Sequence, residues 1–252
     1  MNWSGKVLLW EEHGLFLGSA GTADLHESPA IKICISLEDA FGLRTSEKNN
    51  WTDYAAAIIA AGQPHAIEGR GRRMAMLLLA PEGELGQLFA GTEITEIPET
   101  ILPDILPLLD RFNDTNITGD EVDMLYRGVV KKIAGDEAVT AIDPRVSQSI
   151  EWIRAGRENG ILVKDIAAEV ELSESRFSHL FTEHVRVPVR RYLLWLRLRD
   201  ALHLLARTQS LTETAHEAGF ADSAHLTRTF RAALGITPSS LVKESSLVSF
   251  LK

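Results

Sequence analysis

Two helices predicted in the C-terminal half carry small, polar and basic side chains at corresponding positions. The first set is Ser175, Arg176, Ser178 and His179, and the second is Ala224, His225, Thr227 and Arg228. Arginine can bond a guanine edge in two places, and hydroxyl and imidazole groups bond bases or phosphates. We therefore expect a DNA-reading surface, with Arg228 the first candidate for a base contact. The short side chains leave a share of the affinity to DNA shape and phosphate contacts.

The second set lies in residues 211–238, which are predicted to form two helices joined by a tight turn. Thr212 is the expected N-cap of the first helix, and Gly219 can take the positive φ that a sharp turn requires. The second helix is expected to begin near Asp222 or Ser223 and to run to about Leu234. This is the helix-turn-helix pattern, whose second helix, the recognition helix, enters the DNA major groove.

Residues 162–181 repeat this layout, because four apolar positions recur 48 or 49 residues later. The pairs are Ala167 with Ala215, Leu172 with Phe220, Phe177 with Leu226, and Phe181 with Phe230. Leu226 and Phe230 are four apart, so they are expected to face inward. A repeat of two purely structural hairpins is the alternative, but the recurrence favours DNA binding.

A long helix is predicted between the two hairpins. Its apolar stripe is Leu194, Leu198, Ala201, Leu202 and Leu205. This helix is expected to fix the recognition helices about 34 Å apart, so that they meet successive turns of the major groove. Five arginines around it are candidates for phosphate contacts or for a solvated helix face: Arg186, Arg190, Arg191, Arg197 and Arg199.

Residues 144–240 resemble the DNA-binding domain of the AraC/XylS family of bacterial transcription regulators. The resemblance is carried by IAAEVELSESRFSHLF, RRYLLWLRLRDALHLLA and LTETAHEAGFADSAHLTRTFRAALGITPSSL. It implies seven helices, with two helix-turn-helix units joined by a long helix. This chain departs from the family at Arg186, where a glycine is usual, whereas the second unit keeps Gly235. A left-handed arginine there costs roughly 1 kcal/mol, or the helix ends differently.

The charge is divided unevenly along the chain. Residues 1–143 hold 11 Lys+Arg and 23 Asp+Glu, a net charge of −12, and residues 144–252 hold 15 and 12, a net charge of +3. An acidic first half is repelled by DNA. The single cysteine, Cys34, excludes an intrachain disulfide and suits a reducing cytosol. No signal peptide or membrane span is expected, so the predicted location is cytoplasmic.

Residues 1–95 read mainly as strands separated by glycine, proline and acidic residues. In residues 31–38 isoleucine and leucine alternate with polar residues, which predicts a strand with one buried face. Residues 54–61 fit either a helix or a buried strand. Many short strands suggest a barrel or jelly roll, and the family resemblance implies a cupin-like barrel. Residues 60–69 resemble half of a degenerate cupin motif.

A ligand site in this barrel is expected to take a small effector, because barrel mouths are common ligand sites. The polar and aromatic candidates are His26, Trp51, Tyr54 and His65. No His-x-His pair is present, and no catalytic or phosphate-binding constellation is found. We therefore expect no metal, no cofactor and no enzyme activity. A metal-dependent cupin enzyme tethered to a DNA-binding domain is the alternative.

Residues 98–134 are predicted to form two helices. Thr118 and Glu121 make a capping box at the start of the second helix, and Gly135 follows its end. The two helices either pack on the barrel or, as the family suggests, form a homodimer contact.

The sequence thus predicts an α+β chain of two domains: a cupin-like β-barrel with two helices of its own at 1–143, and an all-α domain of about seven helices at 144–252. We expect a DNA-binding transcription regulator whose first domain senses a small effector or partner. Its expected partners are promoter DNA, RNA polymerase and a second copy of the chain. A protein-interaction module, with hairpins packed on a partner, remains an alternative.

Overall fold

The computed structural model describes residues 3–9, 13–89, 91, 93–114, 117–156, 160–242 and 247–250, with side chains described up to residue 240. The predicted α+β class is confirmed, since strands fill the first part of the chain and helices the rest. Within these ranges, no helix is long and apolar enough to cross a membrane.

The strands form two sheets. The strands are β1 (Ser4–Leu9), β2 (His13–Ser19), β3 (Thr22–Glu27), β4 (Ile31–Ser36), β5 (Phe41–Arg44), β6 (Thr52–Tyr54), β7 (Ala56–Ile59), β8 (Pro64–Glu68), β9 (Arg73–Leu79), β10 (Ile94–Glu96) and β11 (Leu247–Phe250). The larger sheet has the order β10-β7-β4-β9-β2-β1-β11, and the smaller has the order β3-β8-β5-β6. The cupin-like prediction is compatible with these sheets, although they do not close into one barrel. The ambiguous segment 54–61 holds the end of β6 and the whole of β7, and no helix.

Strand β4 differs from its prediction, because both of its faces are buried. Ile31, Ile33 and Ile35 pack against the helices that cover the larger sheet. On the other face, Lys32 and Cys34 are buried as well. The polar face was expected to meet solvent, and the error arises because the C-terminal helices cover it.

Helices α1 (Leu102–Arg111) and α2 (Gly119–Ala134) cover the outer face of the larger sheet. The Thr118–Glu121 capping box is present, and Pro107 lies inside α1. Ile105 and Leu109 of α1 are buried, so these helices pack on the sheet, and the homodimer contact stays a prediction.

Seven helices follow in the described part of the C-terminal region. They are α3 (Pro144–Ala155), α4 (Val163–Glu169), α5 (Glu174–Val185), α6 (Val189–Thr208), α7 (Leu211–Glu217), α8 (Ser223–Leu234) and α9 (Pro238–Val242). Helices α4 and α5 form the first helix-turn-helix unit, α6 is the long connecting helix, and α7 and α8 form the second unit.

The helix ends explain why these segments stop where they do. Asp222 caps α8 by accepting from the His225 N–H, and Gly235 ends that helix with φ 74°. Ser210, rather than the expected Thr212, caps α7. Arg186 takes the left-handed conformation at the end of α5, with φ 65°. Helix α5 therefore ends in the left-handed conformation that glycine usually takes, and the arginine side chain adds backbone strain.

The two helix-turn-helix units differ in what their cores contain. Phe177 and Phe181 of the first unit pack with α3 and part of α6 in a cluster of their own. Leu226 and Phe230 of the second unit instead join residues of the sheets, including Trp3, in one cluster. The second unit is thus built into the hydrophobic core of the N-terminal region.

Candidate nucleic-acid interface and interdomain cavity

The outward face of α8 is open to solvent. Ala224 and Arg228 are exposed, and His225 and Thr227 are half-buried. The Thr227 hydroxyl donates to the Ser223 carbonyl at 2.8 Å, and the His225 ring lies edge-on to Phe220. Arg228 is therefore the long side chain on this face that is exposed to solvent.

The outward face of α5 has the same character. Ser175, Arg176 and His179 are exposed, and Ser178 is half-buried. The Ser178 carbonyl accepts from Thr182, as expected for a residue within the helix. All eight predicted DNA-reading residues thus lie at the surface of the two recognition helices.

The five arginines proposed for phosphate contacts do not share one environment. Arg186 and Arg197 are exposed, and Arg190 lies 3.7 Å from Glu174. Arg191 pairs with Glu27 of β3. Arg199 is only 9% exposed and lines an interdomain cavity, so the phosphate prediction is wrong for this residue.

The C-terminal end of α8 docks directly on strand β3. The register of β3 against β8 shifts between Ala23 and His26. This bulge leaves the Asp24 N–H free to donate to the Gly235 carbonyl at 2.9 Å. A Cβ added to Gly235 would lie 2.5 Å from His26 Nδ1 and 2.7 Å from the Asp24 carbonyl oxygen. Glycine is therefore needed at 235 for close approach as well as for its positive φ.

Side-chain contacts reinforce this docking. The Arg231 guanidinium bonds the Asp24 carboxylate, and Arg191 bonds Glu27 at the other end of β3. Both pairs are partly exposed, so each contributes little stability by itself. A buried contact lies further away, where the Tyr192 hydroxyl donates to Glu82 at 2.6 Å.

A cavity of about 90 Å³ lies between the sheets and α6. Its wall is mainly apolar and includes Trp3, Phe16, Met76, Trp195 and Leu202. The basic side chains in the wall are His13, Lys32 and Arg199. An apolar cavity with a few convergent polar groups is the usual form of a small-molecule site.

Lys32 is the centre of a buried polar cluster at the edge of this cavity. Its Nζ bonds the Nε2 atoms of His26 and, at 3.0 Å, His65. Burial lowers the pKa of Lys32 from 10.5 to about 7. Burial, reinforced by the nearby Lys32, lowers the pKa of His26 to about 2 and that of His65 well below its usual range. Both histidines are therefore neutral at physiological pH.

The four predicted effector contacts are divided by the fold. His26 and His65 come together on the paired strands β3 and β8. Trp51 and Tyr54 lie instead at the β5–β6 edge, where Arg44 stacks on Trp51 at 4.6 Å. Neither of these aromatic residues lines the cavity. Among the described residues, no group of three or more His, Cys, Asp or Glu could hold a metal ion.

Sequence reasoning missed Lys32, which lies between the cavity and both histidines. Its strand alternates apolar and polar residues, and this pattern places a lysine on a solvated face. The two histidines share the β3–β8 pair of the smaller sheet, whereas Lys32 reaches them from β4 of the larger sheet, and the sequence gives no signal for this contact between sheets.

Comparison with known proteins identifies the class of the C-terminal region. Residues 166–244 match the family model described as a helix-turn-helix domain. The activator RhaS of Salmonella schwarzengrund is 29% identical over 106 residues, which are 42% of this chain and 38% of the relative. The Msm operon regulatory protein of Streptococcus mutans is 26% identical over 110 residues, 43% of this chain and 40% of the relative.

This region is a helix-turn-helix domain. The resemblance to the AraC/XylS family is confirmed for it, and the chain spans about two fifths of the length of the curated relatives that it matches.

Solved structures extend the likeness to almost the whole fold. Apo ToxT of Vibrio cholerae, in a variant form, has a TM-score of 0.66 at 12% identity, covering 92% of this chain and 97% of that one. Wild-type ToxT with an unsaturated fatty acid bound has a TM-score of 0.63 at 11% identity, covering 94% and 96%. The two-part architecture of a β-sheet region and a helix-turn-helix region is therefore shared with ToxT.

Proposed function

We propose that the chain is a sequence-specific DNA-binding transcription regulator, with a sensing domain at 1–143 and a DNA-binding domain at 144–252. The observation that carries this proposal is the pair of recognition helices, α5 and α8, which present exposed, matching sets of residues from the two ends of one buried helix, α6. Promoter DNA is the proposed partner, because the relatives are named as an activator and an operon regulator.

In this proposal the eight outward residues contact DNA. Arg228 reads a base edge, Arg176 and His179 contact bases or phosphates, and Ser175 and Ala224 allow close approach to the duplex. The hydroxyl and imidazole groups of Ser178, His225 and Thr227 complete the surface. RNA polymerase is a further partner that the promoter role requires.

The test is a fluorescence-anisotropy titration of the full chain with duplex DNA enriched from a random library. We expect specific binding that weakens steeply as salt rises, since phosphate contacts release counterions. The double variant Ser175→Glu/Ala224→Glu puts carboxylates against the duplex and is expected to weaken binding at least tenfold. Thr52→Glu, an exposed change on β6, is the matched control and should bind as the parent does. Salt-insensitive or absent binding would favour the protein-interaction alternative.

We propose that the sensing domain takes an apolar acid in the interdomain cavity. Arg199 supplies a positive charge in a mainly apolar wall, and Lys32, with its pKa of about 7, can take up a proton beside a bound carboxylate. These groups suit a carboxylate on a hydrocarbon body. A structurally similar protein has been solved with an unsaturated fatty acid bound.

Thermal-shift titrations with straight-chain fatty acids and the corresponding alcohols test the effector class. The acids are expected to stabilise the full chain more than the alcohols, and Lys32→Met is expected to reduce the difference, since Arg199 remains. Equal shifts for acids and alcohols in the parent chain would remove the proposed role of the charge.

A further inference from the structure

We propose that the strand pair β3–β8 positions both recognition helices, and that Lys32, by bonding His26 and His65, links the contents of the interdomain cavity to both helices at once. The proposal rests on the proposed function, because it concerns how the sensing region sets the DNA-reading geometry. It assigns positioning roles to two histidines that do not line the cavity.

The two histidines are held in the same way. His26 Nδ1 lies 2.7 Å from the Asp24 carbonyl oxygen, and His65 Nδ1 lies 2.8 Å from the Gln63 carbonyl oxygen. A carbonyl oxygen only accepts, so each Nδ1 carries the proton and each Nε2 is left as an acceptor. Both acceptors meet the same donor, Lys32 Nζ. The lysine thus bridges two histidines, each anchored to the backbone two residues before it.

Each backbone anchor borders the C-terminal end of a different recognition helix. On β3, the Asp24 N–H bonds the Gly235 carbonyl, where α8 ends. Before β8, Gln63 follows Gly62, and a Cβ on Gly62 would lie 3.4 Å from the carbonyl oxygen of Arg186, where α5 ends. The His26 side of the cluster therefore abuts α8, and the His65 side abuts α5.

The neighbouring backbone ties these two anchors together. The Gly62 N–H donates to the Ser28 carbonyl at 2.7 Å, just after β3 ends. His26 and His65 are also direct partners in the β3–β8 ladder. A movement of either histidine therefore displaces the β3–β8 pair, which contacts the ends of both recognition helices.

The consequence follows from the donor capacity of Lys32. A cavity ligand that draws Nζ towards itself weakens the bonds to both Nε2 atoms together. His26 on β3 and His65 on β8 then lose the bridge that Lys32 makes between them. The separation of α5 and α8 is in that case no longer set by the sensing region. Since two recognition helices must match successive turns of one major groove, this separation decides whether both can bind a single duplex.

The test measures that separation directly and without DNA, so it does not depend on whether the chain binds DNA. Cysteines are introduced at exposed Ser175 on α5 and Ala224 on α8, spin-labelled, and their distance distribution is recorded by electron–electron double resonance. The native Cys34 is fully buried, and burial raises its pKa to about 12, so it does not take the label.

His26→Leu and Lys32→Met are expected to shift or broaden the α5–α8 distance distribution to the same extent. Gln87→Leu replaces another buried polar residue, one that donates to the Pro81 carbonyl and does not line the cavity, and is expected to leave the distribution unchanged. A response to His26→Leu but not to Lys32→Met would overturn the link to the cavity.

A pair of glycine variants keeps the test decisive if the cluster variants do not fold. Gly235→Ala and Gly219→Ala carry the same backbone strain, at φ +74° and +71°, but a Cβ meets His26 and Asp24 only at 235 and nothing within 4 Å at 219. Only Gly235→Ala is expected to change the distance distribution. Equal distributions in the two variants would overturn the positioning role of β3.

Discussion

The backbone N–H of Asp24 donates to the carbonyl oxygen of Gly235 across 2.9 Å, and this bond joins strand β3 to the C-terminal end of helix α8. A helix end leaves carbonyl groups without partners inside the helix, and one of them is satisfied here by a strand bulge. This backbone bond adds to the two ion pairs that join β3 to the C-terminal helices, Arg231 with Asp24 and Arg191 with Glu27.

Arg228 is expected to contribute more to DNA affinity than any exposed arginine of the N-terminal region. Arg228→Ala should weaken binding to the selected duplex by about 1–3 kcal/mol and relax the preference at one base position. Arg111→Ala, an exposed change on α1, is the control and should leave the affinity unchanged. Anisotropy with single-base duplex variants measures both quantities, and a uniform loss across all sequences would instead indicate a phosphate contact.

The stability of the fold is expected to rise between pH 7 and pH 9 because of Lys32. Its pKa is about 7 when folded and 10.5 when unfolded, so in this window the unfolded chain holds a proton that the folded chain lacks. The free energy of unfolding should therefore increase by up to about 1.4 kcal/mol per pH unit. Above pH 9 the buried thiol of Cys34, whose pKa is raised to about 12, acts in the opposite direction.

Urea denaturation of the full chain across this pH range measures the slope. Lys32→Met removes the titrating amine and is expected to flatten the curve between pH 7 and pH 9. An unchanged slope in that variant would show that other groups are responsible.

Arg186→Gly is expected to stabilise the chain, because it removes the strain of a side chain at φ 65°. The gain should be about 0.5–1 kcal/mol, since part of the relief is offset by the greater freedom of glycine in the unfolded chain. Ala168→Gly, an exposed position inside α4, should destabilise by about 1 kcal/mol. Denaturant midpoints measure both changes, and destabilisation by Arg186→Gly would mean that the arginine side chain makes a contact worth more than the strain.

Phe230→Ala and Phe177→Ala are expected to cost a similar 3–5 kcal/mol, because both rings are fully buried. Their consequences for the N-terminal sheets should differ. Phe230 shares a cluster with the sheets, whereas Phe177 belongs to the cluster around α3. Hydrogen exchange in β1 and β3 should rise in Phe230→Ala alone, and equal exchange in both variants would contradict the shared core.

Local signals predicted α8 well from sequence. Asp222 is a strong N-cap and Gly235 a strong terminator, so the helix starts and stops within the residues expected. The exposed faces of α5 and α8 followed from helical periodicity alone. The exact cap of α7 was misplaced, because Ser210 and Thr212 are both acceptable caps and only the backbone geometry selects between them.

Long-range packing could not be predicted in the same way. The polar face of β4 is buried by helices more than 150 residues later in the chain, and periodicity within a strand carries no information about such a partner. For the same reason Arg199 looked like a surface arginine, and Lys32 like a solvated one. The residues that surround the cavity are those whose environment depends on two distant parts of the sequence.

The hydrophobic cluster that Phe230 and Trp195 share with the sheets bears on how such proteins can be recombined. A chimaera that joins residues 144–252 to a foreign sensor domain would expose a hydrophobic surface on each of the two parts. A successful exchange of sensor domains should therefore require that the α6 and α8 side chains facing the sheets are transferred together with the strands they contact.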